Sequence, residues 1–150
     1  ARGGVESAVV PRKHSPTAEE FNDALLETLR SRHIDLVVLA GFLSILGHKV
    51  IAAYPDRILN VHPSLIPSFC GEGFYGLRVH EAALEKGVKV TGATVHFVNE
   101  VCDGGAIIAQ KAVEVHEDDT PETLQKRVMV EAEWKLLPAA VASVCEKLDV

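Results

Sequence analysis

Apolar and polar positions repeat with two different periods along this chain, and the two alternate. Thr17-Ala-Glu-Glu20 fits a capping box, and Phe21, Ala24, Leu25, Thr28 and Leu29 recur at helical spacing, which predicts a helix over 17–32. Asp35-Leu-Val-Val-Leu-Ala40 is a short, nearly unbroken apolar run that suits a strand covered on both faces. Residues 41–46 read as a turn, 47–53 as a short helix and 57–61 as the next buried strand. Residues 62–77 hold two Pro, three Gly and little periodicity, so they form a long loop, a kind of segment that is usually functional or disordered. A helix over 78–86 is closed by Gly87. Two alternating segments, 88–98 and 106–115, read as strands joined by the 99–105 loop into an antiparallel hairpin. Thr120 caps a last helix with Pro121 at its first position, and Pro138 kinks or restarts it. Ala8-Val9-Val10, closed by Pro11, reads as one further short strand.

This order predicts an α/β fold: an open, mainly parallel twisted sheet flanked by helices, Rossmann-like, with a late antiparallel hairpin. Ligands of such sheets bind beyond the carboxyl ends of the strands. At 150 residues one core and one domain over 1–150 are expected. The chain opens on Ala1-Arg2-Gly3-Gly4, and residues 5–11 read as the tail of a unit, so an N-terminal segment is expected to precede it.

A net charge of -6 without a Lys or Arg cluster disfavours nucleic-acid binding. No apolar run reaches the roughly 18 residues of a membrane helix, so no membrane partner is expected. Cys70, Cys102 and Cys145 are odd in number and unevenly spaced, which reads as free thiols in a reducing, cytoplasmic compartment. Neither C-x-x-C nor His-x-x-x-His spacing occurs, and no metal site is expected.

The chemistry concentrates in Asn60-Val61-His62-Pro63-Ser64-Leu65-Ile66-Pro67 and Asp103-Gly104-Gly105. Asn60 and His62, two apart on a strand, face the same way, and Pro63 keeps His62 extended. Two N–H groups aimed at one point make an oxyanion hole. The structural alternative is that Asn60 caps the strand end while His62 bonds a loop carbonyl. Asp103 is either a turn aspartate or a carboxylate that raises the His62 pKa and holds a water for proton transfer, with the following glycines supplying positive φ. Thr94 could bond a catalytic group, and His96 on the same face reads as a satisfied structural histidine. His80 reads as a helix-surface residue. Cys70 and Cys102 flank the site and read as packing residues. Glu133 is either a solvated helix carboxylate or a group facing the site. Residues 39–46 form an apolar corner, by default core, whose loop backbone could also bind a flat ligand.

Leu39-Ala-Gly-Phe42, residues 60–67, Gly92-Ala-Thr-Val-His-Phe-Val98, Asp103-Gly-Gly105 and Ala132-Glu-Trp-Lys-Leu-Leu-Pro138 together resemble the phosphoribosylglycinamide formyltransferase (glycinamide ribonucleotide transformylase) family over essentially the whole chain. The resemblance implies formyl transfer from 10-formyltetrahydrofolate to the amine of glycinamide ribonucleotide in purine biosynthesis, with no metal. It implies Asn60, His62 and Asp103 as catalytic residues, with His62 as general acid and Asp103 ordering a relay water. The folate pocket maps to Leu43, Ser44, Ile45 and Leu46, to Asn60, and to Asn99, Glu100, Val101, Cys102 and Asp103. Glu133 matches the acidic residue that meets the ribonucleotide.

The chain departs from the family's pattern in three ways. The family's first strand and helix, with a Ser-Gly-x-Gly-Ser-Asn type phosphate loop between them, are absent. Sheet edge exposed by that loss invites association, and a homodimer is one expectation. Arg often stands where this chain has Ala18 and Ser44, in positions that can meet the folate's glutamate tail, so a weaker or differently arranged tail site is expected. One extra residue lies between Arg127 and Pro138. Formyltetrahydrofolate hydrolase shares the Gly-Ala-Thr-x-His-Phe-Val strand, but His62-Pro63 favours the transferase over the hydrolase's His-His. Methionyl-tRNA formyltransferase carries a further RNA-binding domain and a basic surface, which this chain lacks. A non-catalytic folate-binding fragment is the reading from a different class.

Overall fold

A computed structural model describes residues 2–12, 17–42 and 44–148. The elements are α1 (Ala18–Ser31), β1 (Val37–Leu39), α2 (His48–Ala53), β2 (Ile58–His62), α3 (Leu77–Lys86), β3 (Val90–Phe97), β4 (Ile107–Glu114), α4 (Pro121–Val128) and α5 (Trp134–Lys147). The helix signals in the sequence act where they stand. The Thr17 hydroxyl accepts the Glu20 N–H while the Glu20 carboxylate reaches back to the Thr17 N–H. Thr120 caps α4 with Pro121 at its first position. Gly87 closes α3 at φ 77°, a left-handed backbone that costs glycine little.

The four strands form one sheet in the order β1-β2-β3-β4. The α/β class and the late hairpin stand, but the sheet is mixed. Only β1–β2 is parallel, and β2–β3 and β3–β4 are antiparallel. The strand expected at 8–10 does not form. Val9 is largely exposed, and three apolar residues without a partner ladder cannot hold a strand.

Core packing follows the two-residue alternation of the strands. Ile58 packs with Leu26 of α1 and Val50 of α2 on one face. Leu59 and Val95 pack on the other against Ala140 and Val144 of α5. Ala93 and Val113 join that second face to Ala83, Leu124 and Val128 of α3 and α4. β3 therefore runs buried along most of its length, whereas β4 is an exposed edge.

The last helix does not restart at Pro138. It stays helical through Lys147, because Ala140 and Val144 are buried against the sheet. Between α4 and α5 lies a π-helical turn, Met129–Glu133, where the Trp134 N–H reaches the Met129 carbonyl five residues back. A turn of this kind widens the helix locally by one residue.

Candidate active site

Antiparallel register brings the polar residues of two strands together. Asn60 pairs with His96 and His62 with Thr94, so all four lie on one face at the end of β2. A bulge beside Val95 and His96 releases β3 toward the 99–105 loop. That loop turns back at Asp103, which itself holds the left-handed backbone at φ 52°. The two glycines after it serve close approach instead: a Cβ on Gly105 would overlap the Phe97 carbonyl, and one on Gly104 would lie 2.5 Å from the Val101 side chain.

Asp103 is the hub. Its Oδ2 accepts the Gly71 N–H at 2.9 Å and lies 3.6 Å from His62 Nδ1. Its Oδ1 lies 3.5 Å from His96 Nε2. Asn60 Nδ2 is 3.3 Å from that same His96 nitrogen. His62 Nε2–H donates to the Phe69 carbonyl at 2.8 Å, and His96 Nδ1–H donates to the Phe97 carbonyl at 2.9 Å. Each imidazole is thus oriented by a backbone carbonyl, with its other nitrogen toward the carboxylate. Thr94 supports the loop over this corner. It donates to the Ser64 carbonyl at 2.7 Å and accepts the Ile66 N–H at 3.1 Å and the Gln110 amide at 3.1 Å.

Burial alone would raise the Asp103 pKa. The His96 and Gly71 N–H groups and the charges of His62 and His96 outweigh it and hold the carboxyl below its usual range. Asp103 is therefore a buried anion whose charge is met from two sides. Cys70 and Cys102 are pushed up, by burial first and then by Asp103, so both thiols stay protonated, against thiol catalysis.

The exposed members among the other expected residues make up a rim. Leu43 lies outside the described residues. Leu46 turns into the core, leaving only its backbone to a ligand, while Ile45 is 84% exposed. Asn99 bonds the Val101 N–H at 2.9 Å, and Val101 and Cys102 are exposed. Glu100 pairs with His48 Nδ1 at 2.6 Å and ties this loop to the start of α2. Glu133 is half-buried on the π turn, and burial raises its pKa. Among the described residues no hydrogen bond joins it to the cluster, and no group of three or more His, Cys, Asp or Glu is placed to hold a metal. Two surface hollows, one beside Tyr54 and Arg57 and one beside Ile108 and Ser143, contain none of the cluster.

The formyl transferase family model matches residues 2–141. The chain belongs to the formyl transferase family. Within that family it is 45% identical over 145 residues to the chloroplastic phosphoribosylglycinamide formyltransferase of Arabidopsis thaliana, covering 96% of this chain and 49% of the plant protein. The chain thus spans about half the length of that relative. The crystal structure of phosphoribosylglycinamide formyltransferase from Brucella melitensis superposes with a TM-score of 0.83 at 41% identity, over 98% of this chain and 72% of that one. A formyltetrahydrofolate deformylase from Pseudomonas syringae superposes with a TM-score of 0.80 at 28% identity, over 89% of this chain and 43% of that one.

Two histidines of this formyl transferase domain stand differently from each other against the sequence reading. His96 is the satisfied, buried histidine expected on the Thr94 face, and the fold adds its place beside Asp103. His80 is fully buried, not on the helix surface, and its Nδ1 has no hydrogen-bond partner among the described residues. Burial and then the nearby His62 push it down to about 4, so it is neutral in the fold. Its spacing to Val79 and Ala83, both buried, carried the signal that this face of α3 points inward.

Proposed function

We infer that this chain carries the formyl-transfer centre of a phosphoribosylglycinamide formyltransferase, which moves a formyl group from 10-formyltetrahydrofolate to the amine of glycinamide ribonucleotide. The observation that carries the reading is the buried Asp103 carboxylate facing His62 and His96 at the end of β2, with Asn60 alongside. In this reading the amine nitrogen bonds the formyl carbon and the carbon–N10 bond of the donor breaks. One proton leaves the amine and one reaches the leaving nitrogen. Asn60 and His62 offer N–H groups to the tetrahedral oxyanion, and His62 gives the proton as general acid. Its Nε2–H exchanges the Phe69 carbonyl for the substrate at that step. Asp103 balances the imidazolium and orders the water that takes the amine's proton. Exposed Ile45 and Val101, on loops tied by His48 and Glu100, suit the flat apolar face of a folate, with backbone polar groups at its edges. Glu133, Cys102 and Asn99 complete the proposed contacts to nucleotide and folate.

Pro63 after His62, and identities of 45% and 41% to two transferases against 28% to the deformylase, favour an amine over water as the acceptor. The test is tetrahydrofolate release from 10-formyltetrahydrofolate with and without glycinamide ribonucleotide. Release that needs the amine supports the transferase. Release without it identifies a hydrolase and overturns the reading.

A further inference from the structure

Ser64 is fully buried at the start of the 63–71 loop, and the catalytic reading does not use it. Its Oγ–H donates to the Ser68 carbonyl, and its Oγ lies 3.5 Å from the Phe69 carbonyl. That second carbonyl is the one that accepts His62 Nε2–H at 2.8 Å. An imidazole and a hydroxyl therefore converge on one oxygen, and the hydroxyl has two oxygens within reach.

The loop that carries these carbonyls is pinned on both sides. Thr94 donates to the Ser64 carbonyl at 2.7 Å and accepts the Ile66 N–H at 3.1 Å, and Gln110 donates to the Ile66 carbonyl at 3.0 Å. At the far end the Gly71 N–H is held by Asp103 at 2.9 Å. Phe69 packs against the core cluster that contains Ala83 and Leu124, whereas Ser68 is an exposed residue. Water can meet the Ser68 carbonyl, and the Phe69 carbonyl depends on donors from the fold. When His62 turns its Nε2–H to the substrate, the Phe69 carbonyl loses the donor that anchors it. A hydroxyl turns about a single bond, so Ser64 can replace that donor without any movement of the backbone.

We propose that Ser64 is a positioning residue for formyl transfer, whose hydroxyl turns from the Ser68 carbonyl to the Phe69 carbonyl as His62 leaves it for the substrate. This rests on the reading of His62 given above and adds the group that frees the imidazole without leaving its anchor unpaired. Fully buried, Ser64 reaches neither substrate and acts through His62 alone.

A double-mutant cycle in single-turnover formyl transfer, with affinity for 10-formyltetrahydrofolate measured beside it, tests the proposal. Ser64→Ala should slow transfer about tenfold, the scale of one carbonyl left without a donor, and keep folate affinity within about twofold of the wild type. In the His62→Ala background no imidazole leaves the Phe69 carbonyl, and there the same substitution should change the residual rate by less than about twofold. Equal slowing in both backgrounds is the mark of a merely structural residue and overturns the proposal. Transfer by Ser64→Ala at the wild-type rate overturns it too, as does a fall in folate affinity as large as the fall in rate. Should Ser64→Ala fail to fold, as read from its urea midpoint, Ser64→Cys carries the same cycle. Its weaker S–H donor should slow transfer about threefold in the wild-type background alone, and a loss shared by both backgrounds contradicts the proposal. A wild type without amine-dependent transfer, or a His62→Ala variant as fast as the wild type, overturns the reading of the site itself, and Ser64's role with it.

Discussion

The corner around Asp103 and the rim around His48 and Glu100 both bring an acid to a histidine, and they differ in almost everything else. Asp103 has a side chain only 9% exposed, a backbone N–H on one oxygen and an imidazole facing each oxygen, and both rings are anchored by carbonyls. His48 and Glu100 make a shorter contact, 2.6 Å, with side chains 79% and 58% exposed. The short pair is the weaker device, because water competes for both partners and salt screens them. The longer, buried contacts fix where charge can sit before any ligand arrives. The proposed function accordingly puts chemistry in the corner and adaptable ligand contact on the rim.

The sharpest way to break the corner is to move its loop. Gly105→Ala drives a Cβ into the Phe97 carbonyl, with backbone on both sides. We expect a loss of at least about 3 kcal/mol or failure to fold, read from urea midpoints. A loss below about 1 kcal/mol would mean the loop moves freely and the corner is not rigid.

A pH series probes the same corner from beneath. His80 is held near 4 in the fold against an ordinary 6.5, so the unfolded chain binds more protons between those values. Stability contributed by neutral His80 is complete above about 6.5 and falls as pH drops toward 4, by about 3 kcal/mol for this group. Asp103, with its pKa lowered, adds its own loss as pH falls further. His80→Leu should flatten the slope between pH 6.5 and 4, and an unchanged slope would assign it to other groups.

Thr94→Val keeps the shape but removes one donated and two accepted hydrogen bonds beneath the 63–71 loop. About 2 kcal/mol should be lost in urea melts. A change below about 0.5 kcal/mol would show that the loop is held some other way. On the rim, Glu100→Gln should cost less than about 1 kcal/mol, and a difference this small should vanish at high salt. A larger, salt-independent loss would make the rim a structural element and erase the contrast.

The sequence made the local signals legible: the Thr17 capping box, the Thr120-Pro121 start, Gly87, and the parity that sets Asn60 beside His62. Its apolar runs did not reveal strand direction. Val61 and Val95 look the same in a parallel or an antiparallel ladder, and so the sheet read as mainly parallel. The positive φ expected of Gly104 and Gly105 falls on Asp103, because crowding by Phe97 and Val101, a tertiary effect, is what those glycines answer. The π turn over 129–133 shows only in the hydrogen-bond ladder. His80 was misplaced on the surface and the link from His96 to Asp103 went unseen for a common reason: a histidine's partners lie across the fold, and spacing along the chain does not name them.

One measurement separates corner from rim most directly: single-turnover formyl transfer alongside folate affinity, for the wild type, His62→Ala and Asp103→Asn. We predict that both variants bind 10-formyltetrahydrofolate within a few-fold of the wild type and lose transfer by about 100-fold or more. A variant that keeps its transfer rate while folate binding weakens would contradict the assignment of chemistry to the Asp103 corner.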